Sequence, residues 1–350
     1  MEADQPAETR DDEKFDEARL AHYLAENVPE LSGDLSVEQF HGGHANLTYA
    51  LTVGDTQLVL RRPPLGPVAP RSHDMRREHK GLSALGPLYP HSPRAIHLCE
   101  DESIIGAIFF LMERRQGYVI RNDWPSELPD DPALRRQISE SLIDALADLH
   151  TVDATRPELA SLGKPEGFVE RQVTGWFGRW EKAKTREIPA MEELGAWLLA
   201  RIPQSSQVSV LHNDYKLDNA MYSLDEPGRL VAVFDWDMVT VGDPLVDLGT
   251  LLGYWTDPGD SLPRGTNQLM MQHPGFLDRQ GLADRYAQRT GFDLAGLAFY
   301  ETFALFKTAV VIEQIYVRWV RGQTKDDRFQ AMGAMVPHLA EAAQLAASKA

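Results

Sequence analysis

VLHNDYKLDN at residues 210–219 and VAVFDWD at residues 231–237 carry the strongest signal in this sequence. They combine His-x-Asp, an Asn five residues after that Asp, and an apolar run that ends in an Asp sixteen residues after the Asn. An aspartate at the end of a strand can accept a proton from a hydroxyl group. An Asn and a second Asp held nearby supply oxygen ligands for Mg²⁺, which binds few protein groups when phosphate oxygens complete its shell. This set of groups is typical of phosphoryl transfer, whose catalysis is mostly positioning and charge neutralisation.

The composition indicates an ordinary globular protein. The chain has 350 residues, 43% hydrophobic and 25% charged, which is enough for two lobes with their own cores. Its net charge of −17 argues against a nucleic-acid partner. Cys99 is the single cysteine, which excludes an internal disulfide and fits a reducing compartment. Residues 1–14 do not form a secretory signal. The longest apolar run, at 104–112, is too short to span a bilayer and is predicted to form a buried strand. We therefore expect a cytoplasmic protein that does not bind a membrane.

Helical spacing of apolar residues predicts most of the second half of the chain. The Asp131-Pro132 pair predicts a capped helix that ends at His150. Aromatic residues at 170–184 stand at helical spacing and predict a helix whose aromatic side chains pack in the core. The Gly- and Pro-rich segment Trp255 to Phe276 is the best candidate for a mobile loop. Further helices are predicted at 15–24, 75–82, 299–321 and 329–347.

At the two segments quoted first, the sequence resembles the kinase-like small-molecule phosphotransferases, the aminoglycoside phosphotransferase and choline kinase superfamily. Within it, the chain most resembles bacterial phosphotransferases related to the kinase domain of acyl-CoA dehydrogenase family members 10 and 11. The resemblance runs from about Phe40 to about Trp255. It implies an α+β, bilobal protein-kinase-like fold with a small mainly β N-lobe and a larger mainly α C-lobe. The predicted limits are a disordered acidic tail at 1–12, a nucleotide-binding lobe at 13–112 and a catalytic, substrate-binding lobe at 113–350.

The resemblance implies a nucleotide-binding role for several residues of the first lobe. Glycines between strands permit a tight turn and close approach of backbone N–H groups to phosphate oxygens, although an ordinary β-hairpin is the alternative. The strand at 56–63 ends in Arg61 and Arg62, where kinases carry a Lys that pairs with a helix Glu. We expect Arg61 to pair with Glu78, the alternative being two solvated charges. The implied nucleotide-binding set is Gly42, Gly43, Asn46, Arg61, Glu78, and Met112 and Glu113 at the hinge.

The resemblance also implies the chemistry. Asp214 would orient and deprotonate the acceptor hydroxyl, and Lys216 would assist the transferred phosphoryl group. ATP and Mg²⁺ are the implied cofactors, with Mg²⁺ held by Asn219 and Asp235 and with Asp237 as a further candidate ligand. The resemblance implies that ATP is the phosphoryl donor. It also implies that the helix at 170–184 borders the acceptor cleft, the alternative being simple packing in the core.

Two departures from protein kinases indicate a small-molecule acceptor. Asn213 stands where protein kinases carry an Arg that binds an activation-loop phosphate. Few residues separate Asp237 from the next predicted helix, which leaves no room for a peptide-docking segment. No protein substrate is expected, and Asp247 is assigned the structural role of holding the catalytic loop. Related families phosphorylate aminoglycosides, choline, homoserine and hydroxylated acyl compounds. A hydroxy acid or hydroxyacyl compound is therefore expected ahead of an aminoglycoside.

Two other functions remain open at this point. A metal-dependent hydrolase could use His212, Asp214, Asp235 and Asp237 as ligands and would need no ATP. A non-catalytic, kinase-like ATP-binding module would explain the arginine at the lysine position. ATP-dependent turnover distinguishes the kinase from both.

Overall fold

A computed structural model describes residues 6–41, 46–65, 73–121, 123–260, 264, 269–324 and 328–350. By its internal contacts the chain divides into two compact units. The first unit comprises Met1–Val119 and Asn219–Val239, and the second comprises Ile120–Asp218 and Thr240–Ala350.

The helices and strands follow one another along the whole chain. The strands are β1 (Leu35–Phe40), β2 (Leu47–Val53), β3 (Thr56–Arg62), β4 (Ala95–Cys99), β5 (Phe109–Glu113), β6 (Tyr118–Val119), β7 (Ser209–Leu211), β8 (Ala220–Tyr222), β9 (Leu230–Val233) and β10 (Thr240–Gly242). The helices are α1 (Glu17–Asn27), α2 (Met75–Leu85), α3 (Pro132–His150), α4 (Pro157–Ala160), α5 (Phe168–Ala183), α6 (Pro189–Leu199), α7 (Leu245–Tyr254), α8 (Arg279–Thr290), α9 (Leu297–Val320), α10 (Arg328–Met332) and α11 (Met335–Ala347).

The first unit is built on an antiparallel sheet with the strand order β1-β2-β3-β5-β4. One row of this sheet joins Tyr49, Leu60 and Leu111, which are directly opposite one another on three strands and are fully buried. α1 adds Leu20 and Leu24 to the same core. Each such side chain stabilises the fold by about 1.5–3 kcal/mol. Because side chains alternate along a strand, the residue after Leu60 points to the opposite face of the sheet.

A second, smaller sheet of the first unit has the order β6-β8-β9. The hairpin β8–β9 is fixed to the rest of the unit because Val233 N–H donates to the His91 carbonyl at 2.7 Å. Asn219 immediately precedes β8, and its carbonyl accepts from Phe234 N–H at 3.0 Å. Asn219 and the residue after Phe234, Asp235, therefore lie at the same end of this hairpin.

The second unit is mainly helical, and its core contains the apolar stripe of α3. Asp131 caps this helix by accepting from Ala133 N–H at 2.8 Å, as the sequence predicts. α7 and α9 pack closely because α7 carries glycine at the contact: a Cβ on Gly249 would lie 2.6 Å from the Tyr300 carbonyl. The short pair β7–β10 places Val210 opposite Val241. Within the described ranges, none of the helices combines the length and apolar character needed to cross a membrane.

Three predicted features differ from the structure. Residues 1–5 of the predicted disordered tail lie outside the described residues. Ala7, in the same predicted tail, exchanges two 2.8 Å backbone hydrogen bonds with Gln39, because β1 lies at the edge of its sheet and its outer backbone groups can pair with the tail. The predicted strand at 104–112 begins only at Phe109, since the chain turns at Gly106, whose φ is 80°. The predicted helix at 329–347 is interrupted between α10 and α11 around Gly333.

The contact-based units also differ from the predicted lobe limits of 13–112 and 113–350. The first unit extends to Val119 and includes Asn219–Val239. The reason is the pairing of Tyr118 with Tyr222, which attaches the β8–β9 hairpin to the first unit by backbone hydrogen bonds.

Candidate active site

Arg61 is held between two carboxylates of the first unit. It ends β3, and its Nη1 lies 2.9 Å from Glu78 Oε1 on α2. Its Nη2 donates to Asp235 Oδ1 at 3.0 Å. The side chains of Arg61 and Glu78 are 8% and 1% exposed, whereas that of Asp235 is 30% exposed. The ion pair predicted for Arg61 and Glu78 is therefore present, and it extends to the one carboxylate that solvent reaches.

Burial and charge act in opposite directions on this cluster. Burial lowers the pKa of Arg61, but the carboxylates of Glu78 and Asp235 outweigh it, so that the pKa of Arg61 is raised. Burial raises the pKa of Glu78; Asp235 adds to this rise, and Arg61 opposes it. Arg62 takes no part, because it points to the other face of the sheet and donates from Nη1 to the Ile105 carbonyl at 2.9 Å. Arg61 is consequently the fixed cation at this end of β3.

The end of the β8–β9 hairpin presents oxygen donors. Asn219 is 8% exposed, and Asp235 has a left-handed backbone with a φ of 71°, a conformation that aspartate adopts more readily than most residues. Trp236 anchors the turn by donating from Nε1 to the Val233 carbonyl at 2.7 Å. Amide and carboxylate oxygens are the donors that Mg²⁺ prefers, so the residues present fit this ion. Among the described residues, no group of three or more His, Cys, Asp or Glu side chains is arranged to hold a metal, so a magnesium ion here would depend on phosphate oxygens as well.

The remaining nucleotide-binding candidates of the first unit have different outcomes. Gly42 and Gly43 lie outside the described residues. Asn46 is 5% exposed, and its Oδ1 lies 2.8 Å from Nδ1 of His73. Asn46 Nδ2 is buried and has no hydrogen-bond partner among the residues that the structure describes, so a polar donor lies beside β2.

The predicted hinge residues lie at the end of β5. Met112 is paired on both sides, with Val59 on β3 and Ala95 on β4. The Glu113 N–H donates to the Arg94 carbonyl at 2.9 Å. A contact between adenine and the Glu113 N–H would therefore require this hydrogen bond to break.

The loop of the second unit that bears Asp214 groups charges around this residue. Lys216 Nζ lies 3.1 Å from Asp214 Oδ2 and 3.8 Å from Asp218 Oδ2. Tyr254 on α7 donates to Asp214 Oδ1 at 3.4 Å, and its ring centroid lies 5.2 Å from Lys216 Nζ. The Asp214 side chain is 24% exposed, so it is held in place and still open to a ligand.

The carboxylates keep Lys216 charged. Burial lowers the pKa of Lys216, but Asp214 and Asp218 outweigh it, and the pKa is raised. Burial also raises the pKa of Asp218 and of Tyr254. Lys216 is thus a permanent cation 3.1 Å from Asp214.

Asp247 holds the backbone of this loop from α7. It is fully buried and accepts from His212 N–H at 2.6 Å and from Asn213 N–H at 2.7 Å. Burial raises the pKa of Asp247, but hydrogen bonding to His150 and the nearby histidines outweighs it, and the pKa is lowered. Asn213 has a φ of 66°, which is uncommon for a residue other than glycine. The structural function predicted for Asp247 agrees with these contacts.

Part of the predicted mobile segment lies outside the described residues, at 261–263 and 265–268. Its described residues are fixed by ion pairs. Arg264 Nη1 lies 2.6 Å from Glu301 on α9, and Arg279 Nη2 donates to Asp260 at 3.0 Å. These contacts attach the segment to α8 and α9.

Comparison with known proteins gives one consistent result. The model of the phosphotransferase enzyme family matches residues 36–300. The chain is 32% identical to acyl-CoA dehydrogenase family member 11 of Rattus norvegicus over 335 residues, which is 93% of this chain and 42% of that protein. It is also 32% identical to family member 10 of Mus musculus, covering 89% of this chain and 29% of that protein. The chain therefore spans less than half of the length of these curated relatives.

The solved structures agree with the sequence comparison. A crystal structure from Ralstonia eutropha, described as a candidate aminoglycoside phosphotransferase, is 33% identical with a TM-score of 0.81, over 96% of this chain and 99% of the other. A ternary complex of the aminoglycoside phosphotransferase APH(4)-Ia with ADP and hygromycin B is 16% identical with a TM-score of 0.59, over 93% of this chain and 97% of the other. The second likeness shows the fold alone, which matches the predicted kinase-like α+β class.

Proposed function

The chain belongs to the phosphotransferase enzyme family, and we propose that it moves the γ-phosphoryl group of ATP to a hydroxyl group of a small molecule, with Mg²⁺ as cofactor. The observation that carries this proposal is Arg61, fixed 2.9 Å from Glu78 and 3.0 Å from Asp235. A cation for phosphate oxygens and a carboxylate suited to Mg²⁺ thereby lie side by side in one unit. Phosphoryl transfer requires this combination, because its transition state spreads negative charge over several oxygens.

In the nucleotide site, Arg61 would bind phosphate oxygens while Glu78 fixes its guanidinium. Asn46 would contribute its buried Nδ2–H to the same end of the nucleotide. Asn219 and Asp235 would hold Mg²⁺, with Asp237 as a further candidate ligand. Magnesium supplies neutralisation of phosphate charge when bound. The proposed contact of adenine with the backbone of Met112 and Glu113 at the hinge completes this nucleotide site.

In the acceptor site, Asp214 would accept the proton of the attacking hydroxyl group. Its carboxylate is fixed by Lys216 at 3.1 Å and by Tyr254 at 3.4 Å, and positioning of this kind contributes a large part of catalysis. Lys216 would stabilise the transferred group as negative charge develops there.

We propose a hydroxy acid or hydroxyacyl compound as the acceptor, ahead of an aminoglycoside. Two observations support this choice. The relatives at 32% identity are named as acyl-CoA dehydrogenase family members. In the second unit, Lys216 Nζ lies 3.1 Å from Asp214, and a cation at this place favours an acceptor with a carboxylate or a polarised carbonyl over one with several ammonium groups.

The test is Mg²⁺-dependent release of ADP from ATP across hydroxy acids, hydroxyacyl-CoAs, amino alcohols and aminoglycosides. We expect one class to stimulate the wild type and not Asp214→Asn, which should still bind Mg·ATP. Asp225→Asn is the matched control, because Asp225 is exposed in the β8–β9 turn and should behave as wild type. Unchanged turnover in Asp214→Asn would remove Asp214 from its assigned role.

The two alternatives give different results in the same assay. A metal-dependent hydrolase would release product from an ester substrate without ATP. A non-catalytic module would bind Mg·ATP tightly and show no stimulation with any acceptor class. Absence of Mg·ATP binding would refute the proposed function outright.

A further inference from the structure

Lys307 on α9 reaches the catalytic loop from far along the chain. Its Nζ donates to the Asn213 carbonyl at 2.8 Å, across 94 residues of sequence. The Asn213 N–H donates to Asp247 at 2.7 Å. Both polar groups of the Asn213 backbone are therefore held by side chains, one from α7 and one from α9. Asn213 has a φ of 66°, a left-handed conformation that asparagine adopts more readily than most residues, and the two contacts hold this turn immediately before Asp214.

The surroundings of Lys307 explain how a lysine is tolerated here. Its Nζ lies 5.6 Å from the centroid of the Trp176 ring, within the range of a cation–π contact. Arg179 lies 4.3 Å from the same ring centroid. Lysine is rarely removed from water without a partner, so the carbonyl of Asn213 and the Trp176 ring are the compensating contacts.

We propose that Lys307 is a positioning residue for Asp214. It holds the Asn213 carbonyl, and by this contact it fixes the left-handed turn that directs the Asp214 side chain. It also places a positive charge near the Asp214 carboxylate. Lys307 acts through Asn213 and is not assigned any contact with the reacting atoms. This inference rests on the proposed function, in which Asp214 is the base.

The charge on Lys307 gives the inference a pH dependence. Burial lowers its pKa; Asp214 and Asp247 oppose this, and Lys216 and Arg179 act with burial. The pKa of Lys307 is lowered as a result. Because a neutral amine binds the Asn213 carbonyl more weakly, turnover should fall on the alkaline side at a lower pH than for an ordinary lysine.

The experiment compares Lys307→Met and Lys307→Arg with wild type. Displacement of a catalytic group by about 1 Å can reduce turnover about 100-fold, so we expect Lys307→Met to lower kcat by roughly 10- to 100-fold. KM for ATP should stay within about 2-fold, since the nucleotide residues are in the other unit. Lys307→Arg should restore most of kcat and move the alkaline limb to higher pH, because Arg stays charged. Arg318→Met is the matched control, since it removes an exposed cation from the same helix and should change neither value.

Three results would overturn the inference: wild-type kcat in Lys307→Met, an alkaline limb that Lys307→Arg does not move, or equal losses in kcat and in ATP affinity. A crystal structure of Lys307→Met separates this inference from the proposed function. If the wild type turns over no acceptor, the proposed function fails, but the structure still tests Lys307. An Asn213 backbone that keeps its left-handed φ, with Asp214 unmoved, would show that Lys307 does not position the loop.

Discussion

Replacing Arg61 with methionine should both destabilise the first unit and abolish nucleotide binding. Two unit charges 2.9 Å apart attract by about 6 kcal/mol at an effective dielectric constant of about 20. Desolvation of the two ions offsets most of this attraction. Removing one partner leaves the other buried and unpaired, which typically costs about 3–5 kcal/mol. Because Glu78 is 1% exposed, we expect Arg61→Met to lower the free energy of unfolding by about that amount.

The loss should depend on pH. Burial raises the pKa of Glu78, and removing the opposing charge of Arg61 raises it further. The folded variant then holds a proton more tightly than the unfolded chain does. Stability linked to a raised pKa is present at acid pH and is lost as the pH rises through the folded-state value. Arg61→Met should therefore cost less stability at about pH 6 than at about pH 8.5.

Urea denaturation followed by circular dichroism measures this loss, and a second variant separates structure from function. Arg61→Met combined with Glu78→Met replaces the buried charges with apolar groups, which is often neutral or stabilising. Asp235 keeps contact with solvent at 30% exposure, so it tolerates the change. The double variant should regain most of the stability and still fail to bind Mg·ATP. The reasoning is refuted if Arg61→Met costs less than about 1 kcal/mol, or if the double variant binds Mg·ATP like wild type.

Two further predictions concern packing and acid stability. Gly249→Ala should cost about 1–3 kcal/mol by thermal denaturation, because its Cβ would lie 2.6 Å from the Tyr300 carbonyl. In the control Gly175→Ala, the Cβ would meet no described atom within 4 Å apart from its chain neighbours and the backbone of its own helix, so this change should stabilise α5 by up to about 1 kcal/mol. Equal effects of the two changes would contradict the packing argument. His97 Nε2 lies 2.9 Å from the Tyr23 hydroxyl, and burial lowers the pKa of His97. The neutral imidazole therefore contributes fully to the free energy of unfolding above the unfolded-state pKa, and this contribution is lost as the pH falls through the folded-state pKa. His97→Gln should flatten the decline of stability below about pH 6.5, and an unchanged pH profile would contradict this account.

Helices and strands that are determined by residues close together in the sequence could be predicted from the sequence alone. α3 was predicted from an aspartate cap and an apolar stripe, and it runs over Pro132–His150 as expected. The strand predicted at 104–112 was too long, because apolar character alone does not distinguish β5 from the turn at Gly106. The tail was predicted to be disordered from its low apolar content. Ala7 is nevertheless ordered, because it pairs with the edge of β1, and such pairing does not depend on apolar content.

In the candidate site, too, local patterns could be predicted and distant contacts could not. Arg61 and Glu78 were found by analogy with a kinase pattern, and their contact is present at 2.9 Å. The contact of Lys307 was missed, because its partner Asn213 is 94 residues away in the sequence. The only available hint was a lysine within the broad apolar face of α9, where a charge needs a partner. Distant contacts of this kind depend on the packing of α9 beside the catalytic loop.

The two units use the same electrostatic arrangement. In the first, Arg61 lies between Glu78 and Asp235; in the second, Lys216 lies between Asp214 and Asp218. In each trio the carboxylates keep the cation charged. Asp235 in the first unit and Asp214 in the second are also partly exposed, so each can contact a ligand. A chain with a net charge of −17 would otherwise repel ATP, since fields from unpaired carboxylates extend over about a Debye length of 8 Å. Pairing each functional carboxylate with a fixed cation removes that local repulsion. Under the proposed function, Mg²⁺ would share Asp235 with Arg61. Because the metal would neutralise phosphate charge, ATP should bind more weakly without it than with it.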